Sequence, residues 1–344
     1  MPEPVPSPVA YGGQAVLGGV MMRGRREMAV AVRAASGEIL VWSEPLQSSR
    51  LARRVQRWPL VRGSVLLWDT MLLGVRALVF SSIVEMQANE AARRPAARRS
   101  APPPGGITGA SLWGMVAFSI LCAIGLFFVT PMLVTAFLDR FITAAPVSVL
   151  VEGLIRLSLL LAYMGGIGYL PDVRRVFGFH GAEHKAVHAW EAGDPLDVPH
   201  VRQHPLEHPR CGTAFMLVVI LLSMAFFLLL GRPDLPFRLA SRILLVPVVA
   251  GVAYEVLKLG ARYAAHPVWR VLLTPSLRLQ RLTTREPDDG MLEVAIAALL
   301  RVLVADGRVA EDDPRLRTVR RVDPTGLPIP IPTPRPALEP RPVS

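Results

Sequence analysis

Residues 212–230 read G-T-A-F-M-L-V-V-I-L-L-S-M-A-F-F-L-L-L, without a single charged side chain. A helix needs about 20 such residues to cross the hydrocarbon core of a bilayer. Three other stretches meet the same criterion. Residues 112–138 are uncharged up to Asp139. Residues 148–170 are apolar apart from Glu152 and Arg156, and residues 243–260 carry Glu255 and Lys258 only near their end. Short connections at 139–146 and 231–242 pair these stretches into two helical hairpins, 111–171 and 212–260. The expected fold is mainly α: a polytopic membrane helical bundle of about four transmembrane helices, with a small N-terminal β element and a cytoplasmic C-terminal amphipathic helix.

Around the hairpins the chain alternates between polar and Pro-rich blocks. Residues 1–9 form a disordered leader without the basic and apolar regions of a signal peptide. Residues 10–58 form a cytoplasmic Gly-rich loop, Y-G-G-Q-A-V-L-G-G-V-M-M-R-G at 11–24, followed by a hairpin in which 27–34 and 38–43 flank Ala35-Ser36-Gly37. The basic stretch 50–57 is expected to be helical. Residues 59–87 are apolar but carry Arg62, Asp69 and Arg76, and read as an amphipathic or protein-buried helix rather than a span. Residues 88–110 are a basic, Pro-rich linker, 172–211 a cytoplasmic segment rich in His, Glu and Cys, and 261–306 a cytoplasmic helical segment. Within the last, residues 288–305 pattern as an amphipathic helix with acidic residues at its start. Residues 307–344 read as a disordered Pro-rich tail.

The chain has 344 residues, 51% of them hydrophobic, and a net charge of +11. Its Arg residues cluster beside the apolar blocks, which favours an anionic bilayer surface as partner and argues against nucleic acid. The linker, the polar gap 171–211 and the segment after 260 share one side and carry the heavier basic load, so that side is cytoplasmic, with both termini on it. Arg232, Arg238 and Arg242 in the opposite loop reduce the contrast. The cysteines, Cys122 and Cys211, suggest no disulfide framework. Oligomeric state is not legible.

Chemistry concentrates in the polar gap. F-H-G-A-E-H-K-A-V-H-A-W-E occupies 179–191 and H-P-R-C-G-T occupies 208–213. On a helix turning about 100° per residue, His184 lies about 40° from His180, Glu191 about 20°, His188 about 80°, and Glu183 about 60° to the other side. Two histidines four apart on one face can reach one metal ion. Glu183 precedes the second His, whereas a zincin places Glu after the first, so this is a different pattern. Cys211, beside Arg210 and His208 at the start of an apolar helix, can be a thiolate ligand or a nucleophile paired with His208. Histidines at an interface commonly just bond headgroups or loop carbonyls, and His188, His200, His204 and His266 are read that way singly. The group His180, Glu183, His184, His208 and Cys211 is read as a metal or catalytic site.

Five strings, in order, resemble the YqhQ-like family of uncharacterised bacterial integral membrane proteins (domain of unknown function 1385), described as metal-dependent enzymes. They are G-G-Q-A-V-L-G-G-V-M-M-R-G at 12–24, H-G-A-E-H-K at 180–185, H-P-R-C-G-T at 208–213, G-V-A-Y-E at 251–255 and L-T-T-R-E-P at 282–287. By position the resemblance implies motif roles for Gln14, Met21, Arg23, His180, Glu183, His184, Lys185, His208, Arg210, Cys211 and Glu255. Gly18 stands where the family carries Glu, so a role for that acid does not carry over.

The resulting expectation is a bacterial inner-membrane protein with a cytoplasmic-facing centre for a divalent transition metal, zinc foremost, that performs metal-assisted hydrolysis. His180, His184, His208 and Cys211 are the candidate ligands, and Glu183, Lys185 and Arg210 the candidate catalytic residues. Gln14, Arg23, Glu191 and Glu255 are further candidates, and the basic residues suit an anionic or lipid-derived substrate. The alternatives are a scaffold or transporter with a closed structural metal site, or a thiol-dependent enzyme using Cys211. Transport would require Glu152, Arg156 and Glu255 to converge.

Overall fold

Apolar residues on both faces of the N-terminal strands demand cover on both sides, and the chain supplies it from distant segments. The computed structural model describes residues 11–46, 58–93, 109–262 and 266–328. Strands β1 (Gly12–Val16), β2 (Gly19–Arg23), β3 (Glu27–Arg33) and β4 (Ile39–Pro45) form an antiparallel meander, and β5 (Val319–Arg321) adds parallel to β4. The stretch expected as a Gly-rich loop is therefore a second hairpin. Val16 pairs with Gly19, and Gly18, at φ 67°, takes the left-handed turn conformation that glycine adopts without strain. The expected hairpin around residues 35–37 is present as β3 and β4.

Helices α1 (Val61–Arg93), α2 (Gly109–Ile124), α3 (Thr130–Leu138), α4 (Ala145–Ile167), α5 (Pro171–Ala192), α6 (Val198–Val201), α7 (Gly212–Leu230), α8 (Leu235–Leu244), α9 (Val246–Arg262), α10 (Pro267–Thr283) and α11 (Asp289–Ala305) complete the described fold. Val20, Met22, Ala29, Ala31 and Val41 face α11 and α5 on one side of the sheet. Met21, Met28, Val30, Val32 and Trp42 face Ala77, Phe80 and Val84 of α1 on the other. This period-two division is what an antiparallel sheet imposes.

Helix α11 departs from the expected amphipathic helix. Leu292, Leu299, Leu300, Leu303 and the small residues Ala295, Ala297 and Ala298 are all buried, so it is enclosed between sheet and α5. The tail is also ordered further than expected: residues 307–328 include β5 and a buried Val322. Residues 1–10, 50–57, most of the linker and 329–344 lie outside the described residues.

Among the described residues, four helical stretches are long and apolar enough to cross a membrane: Val61–Gln87, Gly114–Leu138, Ala145–Ile167 and Gly212–Leu230. Leu235–Leu244 and Val246–Gly260, bent by 42°, make a fifth if they form one span. Helix α1 is protein-buried on its sheet side, but it is not amphipathic, because its outer side exposes Trp68, Met71, Leu78 and Met86. Much of the loop expected at 231–242 is instead helix α8, and its Arg238 and Arg242 are buried rather than loop charges.

Candidate metal centre

Four-residue spacing along α5 stacks His180, His184 and His188 on one side of the helix, as the periodicity requires. Cys211, the N-cap residue of α7, comes from outside α5 to meet them. Between them, residues 204–211 fold back over α5 so that the rings of His184 and His208 stand 5.6 Å apart, and those of His188 and His208 4.6 Å apart. A buried amide anchors this loop: the main-chain N–H of His208 donates to Gln280 Oε1 and Gln280 Nε2 donates to the His208 carbonyl, both at 2.8 Å.

Two donor groups result. One nitrogen each from His180 and His184 and the sulfur of Cys211 lie within 4.8 Å of one another, and the same limit holds for His188, Glu191 and His208. In the first group His180 Nε2 is 3.2 Å from Cys211 Sγ, which is also 3.3 Å from Thr213 Oγ1.

The far nitrogens are tied to the main chain. His180 Nδ1 is 2.9 Å from the Thr283 carbonyl, His184 Nδ1 bonds the Leu206 carbonyl, and His188 Nε2 is 2.9 Å from the Glu207 carbonyl. A carbonyl only accepts, so each of these nitrogens carries the proton and the opposite nitrogen of the neutral ring presents a lone pair. His208 is reversed, its Nδ1 accepting from the Arg210 N–H at 3.3 Å. The Nε2 atoms of His184 and His208 are buried without a hydrogen-bond partner, an arrangement that calls for an explanation in a native interior.

Gly181 makes this geometry possible. A Cβ there would stand 2.3 Å from the Arg285 carbonyl oxygen and 2.8 Å from Leu206 Cδ2. Its absence lets the 283–285 segment lie against α5, where the Arg285 N–H donates to the Phe177 carbonyl at 2.9 Å. The H-G-A-E-H and L-T-T-R strings are thus two sides of one contact.

Burial holds His188 down to about 4 and lowers His208, against the opposing pull of the Glu183 charge. Both rings are therefore neutral near pH 7, the state in which imidazole ligates a metal.

The other candidates separate. Glu183 is at the site: Oε2 lies 3.6 Å from His184 Nε2, while Oε1 accepts from the Gly13 N–H at 2.9 Å. Glu191 sits with His188 and His208 and pairs with Arg210, not with His180 as the helical stripe suggested. Lys185 points elsewhere, donating to the Arg202 carbonyl and meeting Glu286, both at 2.7 Å. Gln14 packs at Gly74 on α1, and Arg23 reaches Thr70 of α1 at 3.4 Å. Glu255 binds Arg62, with Nε to Oε1 at 2.6 Å, away from the histidines. Cys211 pairs with His180 rather than His208. Reasoning from the sequence alone passed over Gln280 and Thr283 and discounted His188. A lone Gln in an Arg-rich helix reads as surface, and a carbonyl partner leaves no side-chain signal.

A donor set of two imidazoles and a thiol suits a borderline ion such as zinc, and His184 Nε2 is buried without a partner, so the residues present fit a metal.

The family described as "Protein of unknown function (DUF1385)" matches residues 58–305. The "Uncharacterized protein YqhQ" of Bacillus subtilis (strain 168) is 32% identical over 297 residues, covering 86% of this chain and 93% of that protein. No solved structure matches.

Proposed function

The chain belongs to the DUF1385 family, whose function is unknown, and from that premise we propose a multi-pass protein of the bacterial cytoplasmic membrane with a cytoplasmic metal-dependent hydrolytic centre. The observation that carries this reading is the convergence of His180, His184 and Cys211 within 4.8 Å, with both imidazoles fixed by main-chain carbonyls in the tautomer that ligates. The first donor group is favoured over the second for two reasons. His208 Nδ1 accepts a hydrogen bond, which puts the ring proton on Nε2, and the Glu191 charge is already matched by Arg210.

Bound there, a divalent ion supplies Lewis acidity and a water acidic enough to attack near neutral pH. His180, His184 and Cys211 hold and orient it. Glu183, with one oxygen held by Gly13 and the other free toward His184, serves as general base or further ligand. Arg210, next to Cys211 and paired with Glu191, is the candidate contact for an anionic or lipid-derived substrate, whereas Lys185 braces the 202 turn against α5. The apolar helices support membrane insertion.

Elemental analysis of detergent-purified protein tests this. Wild-type protein should carry a transition metal that His184→Ala and Cys211→Ala each lose; equal content in all three removes the reading. A second reading, a thiol-dependent enzyme, is favoured by one contact, the 3.2 Å approach of Cys211 Sγ to His180 Nε2 with the ring oriented by Thr283. Rapid alkylation of Cys211 in metal-free, active protein would select it.

A further inference from the structure

Separately from the histidines, and sharing no residue with them, the helical bundle buries a second polar centre. Glu152, Arg156, Arg238 and Arg242 are 1%, 4%, 1% and 0% exposed, so protein atoms alone remove them from solvent. Arg238 Nε donates to Glu152 Oε2 at 2.8 Å, and Arg156 Nη2 and Arg242 Nε approach Glu152 Oε1 at 2.9 and 3.2 Å. Asp139 takes a further bond from Arg238 Nη1 at 3.1 Å and faces Arg232 at 3.4 Å. Three buried guanidinium groups thus share the carboxylates of Glu152 and Asp139, and Arg232 adds a cation at the rim. Negative charge is in deficit.

The deficit has a place. Both terminal nitrogens of Arg242, Nη1 and Nη2, are buried without any hydrogen-bond partner, although the group stacks on Phe227 at 4.0 Å. Arg242 shares Glu152 with two other cations, and leaving charged N–H donors buried without acceptors carries the full desolvation penalty of those groups. The backbone is irregular at the same place. Residues Gly125–Val129 form a π-helical turn whose Phe127 carbonyl accepts from Arg156 Nε at 2.9 Å. The α8–α9 pair, in turn, bends by 42° just past Arg242. π-turns and broken helices recur where helical bundles bind ligands.

We infer that this cluster is a binding site for one oxyanion, a phosphate group held by the two free nitrogens of Arg242. A guanidinium edge presents two parallel N–H groups at the spacing of such an anion's oxygens. Arg232 and Asp139, whose side chains are 32% and 16% exposed, form the solvent-facing edge of the cluster, and Arg238, at 2%, lies behind them. Phe141 and Phe237 are exposed nearby, so the anion can be the head of an amphiphile as well as a free ion.

The test uses full-length protein exchanged into lipid-free neutral detergent. Its thermal stability is followed against inorganic phosphate, short-chain phosphatidic acid and, as control, short-chain diacylglycerol. Saturable stabilisation by phosphatidic acid alone identifies a lipid headgroup site, and stabilisation by both phosphates admits the free ion. Arg242→Gln should weaken the response at least tenfold, and Arg242→Lys should recover it in part. Should Arg242→Gln fail to fold, the wild-type titration still decides. No response of wild-type protein to either phosphate probe, an equal response to diacylglycerol, or an undiminished response in a folded Arg242→Gln overturns the inference. Loss of the metal centre would leave this result unchanged, so the two readings stand or fall separately.

Discussion

Replacing Gln280 by Leu should loosen the loop that closes the candidate metal centre, without touching any proposed ligand. Gln280 is fully buried, and its amide both accepts from the N–H and donates to the carbonyl of His208 at 2.8 Å. Leucine nearly fills the volume but leaves both main-chain groups buried and unsatisfied, at about 1–3 kcal/mol each. At the His208 amide that loss lowers the free energy of local opening by the same amount, so its hydrogen exchange should accelerate about 5- to 150-fold. Because residues 204–211 also carry the Leu206 and Glu207 carbonyls that orient His184 and His188, metal affinity should fall about 10- to 100-fold, the usual cost of losing outer support. Exchange mass spectrometry on a peptide covering residues 205–211, with metal titration of the same sample, reads both effects. Unchanged exchange at His208 in Gln280→Leu would refute the assignment of Gln280 as the anchor of this loop.

Three further outcomes are expected. His188, held near 4 by burial, takes up its proton in the unfolded chain near 6.5. Stability of the metal-free protein should therefore fall as pH drops from about 6.5 to about 4, and His188→Asn should flatten that slope in denaturant titrations; a parallel slope would contradict it. Gly181→Ala, whose Cβ meets the Arg285 carbonyl at 2.3 Å, should destabilise by about 1–3 kcal/mol and lower metal content as the Thr283 carbonyl is displaced, measured by melting and elemental analysis. Glu152→Gln strips the main counter-charge from Arg156, Arg238 and Arg242 and should cost about 3–5 kcal/mol, seen as poor recovery of monodisperse protein in size-exclusion chromatography.

Periodicity made much of this legible. The spacing of His180 and His184 placed two imidazoles on one side of a helix with His188 flanking them, and the long uncharged runs fall on the apolar helices. What periodicity leaves open is which partner arrives. His208 and Cys211 are three residues apart on a turn, and only the fold-back of 204–211 decides that the sulfur meets His180 while the ring meets His188. The pattern of α11 fits an amphipathic helix as well as an enclosed one, and the distinction lies in Ala295, Ala297 and Ala298, small enough to admit the sheet and α5 together. Strand β5, Val-Arg-Arg, carries no strand pattern of its own and is ordered by β4. Glu255 looked like a site residue because its partner, Arg62, is 193 positions away in sequence.

A thiolate and two imidazoles on one ion would be seen in the absorption spectrum of protein loaded with cobalt(II). A near-ultraviolet sulfur-to-cobalt charge-transfer band is expected that disappears in Cys211→Ser, shifts with its visible bands in His184→Ala, and persists in His200→Ala. Stoichiometric cobalt binding without that band, or the same spectrum from Cys211→Ser, would contradict it.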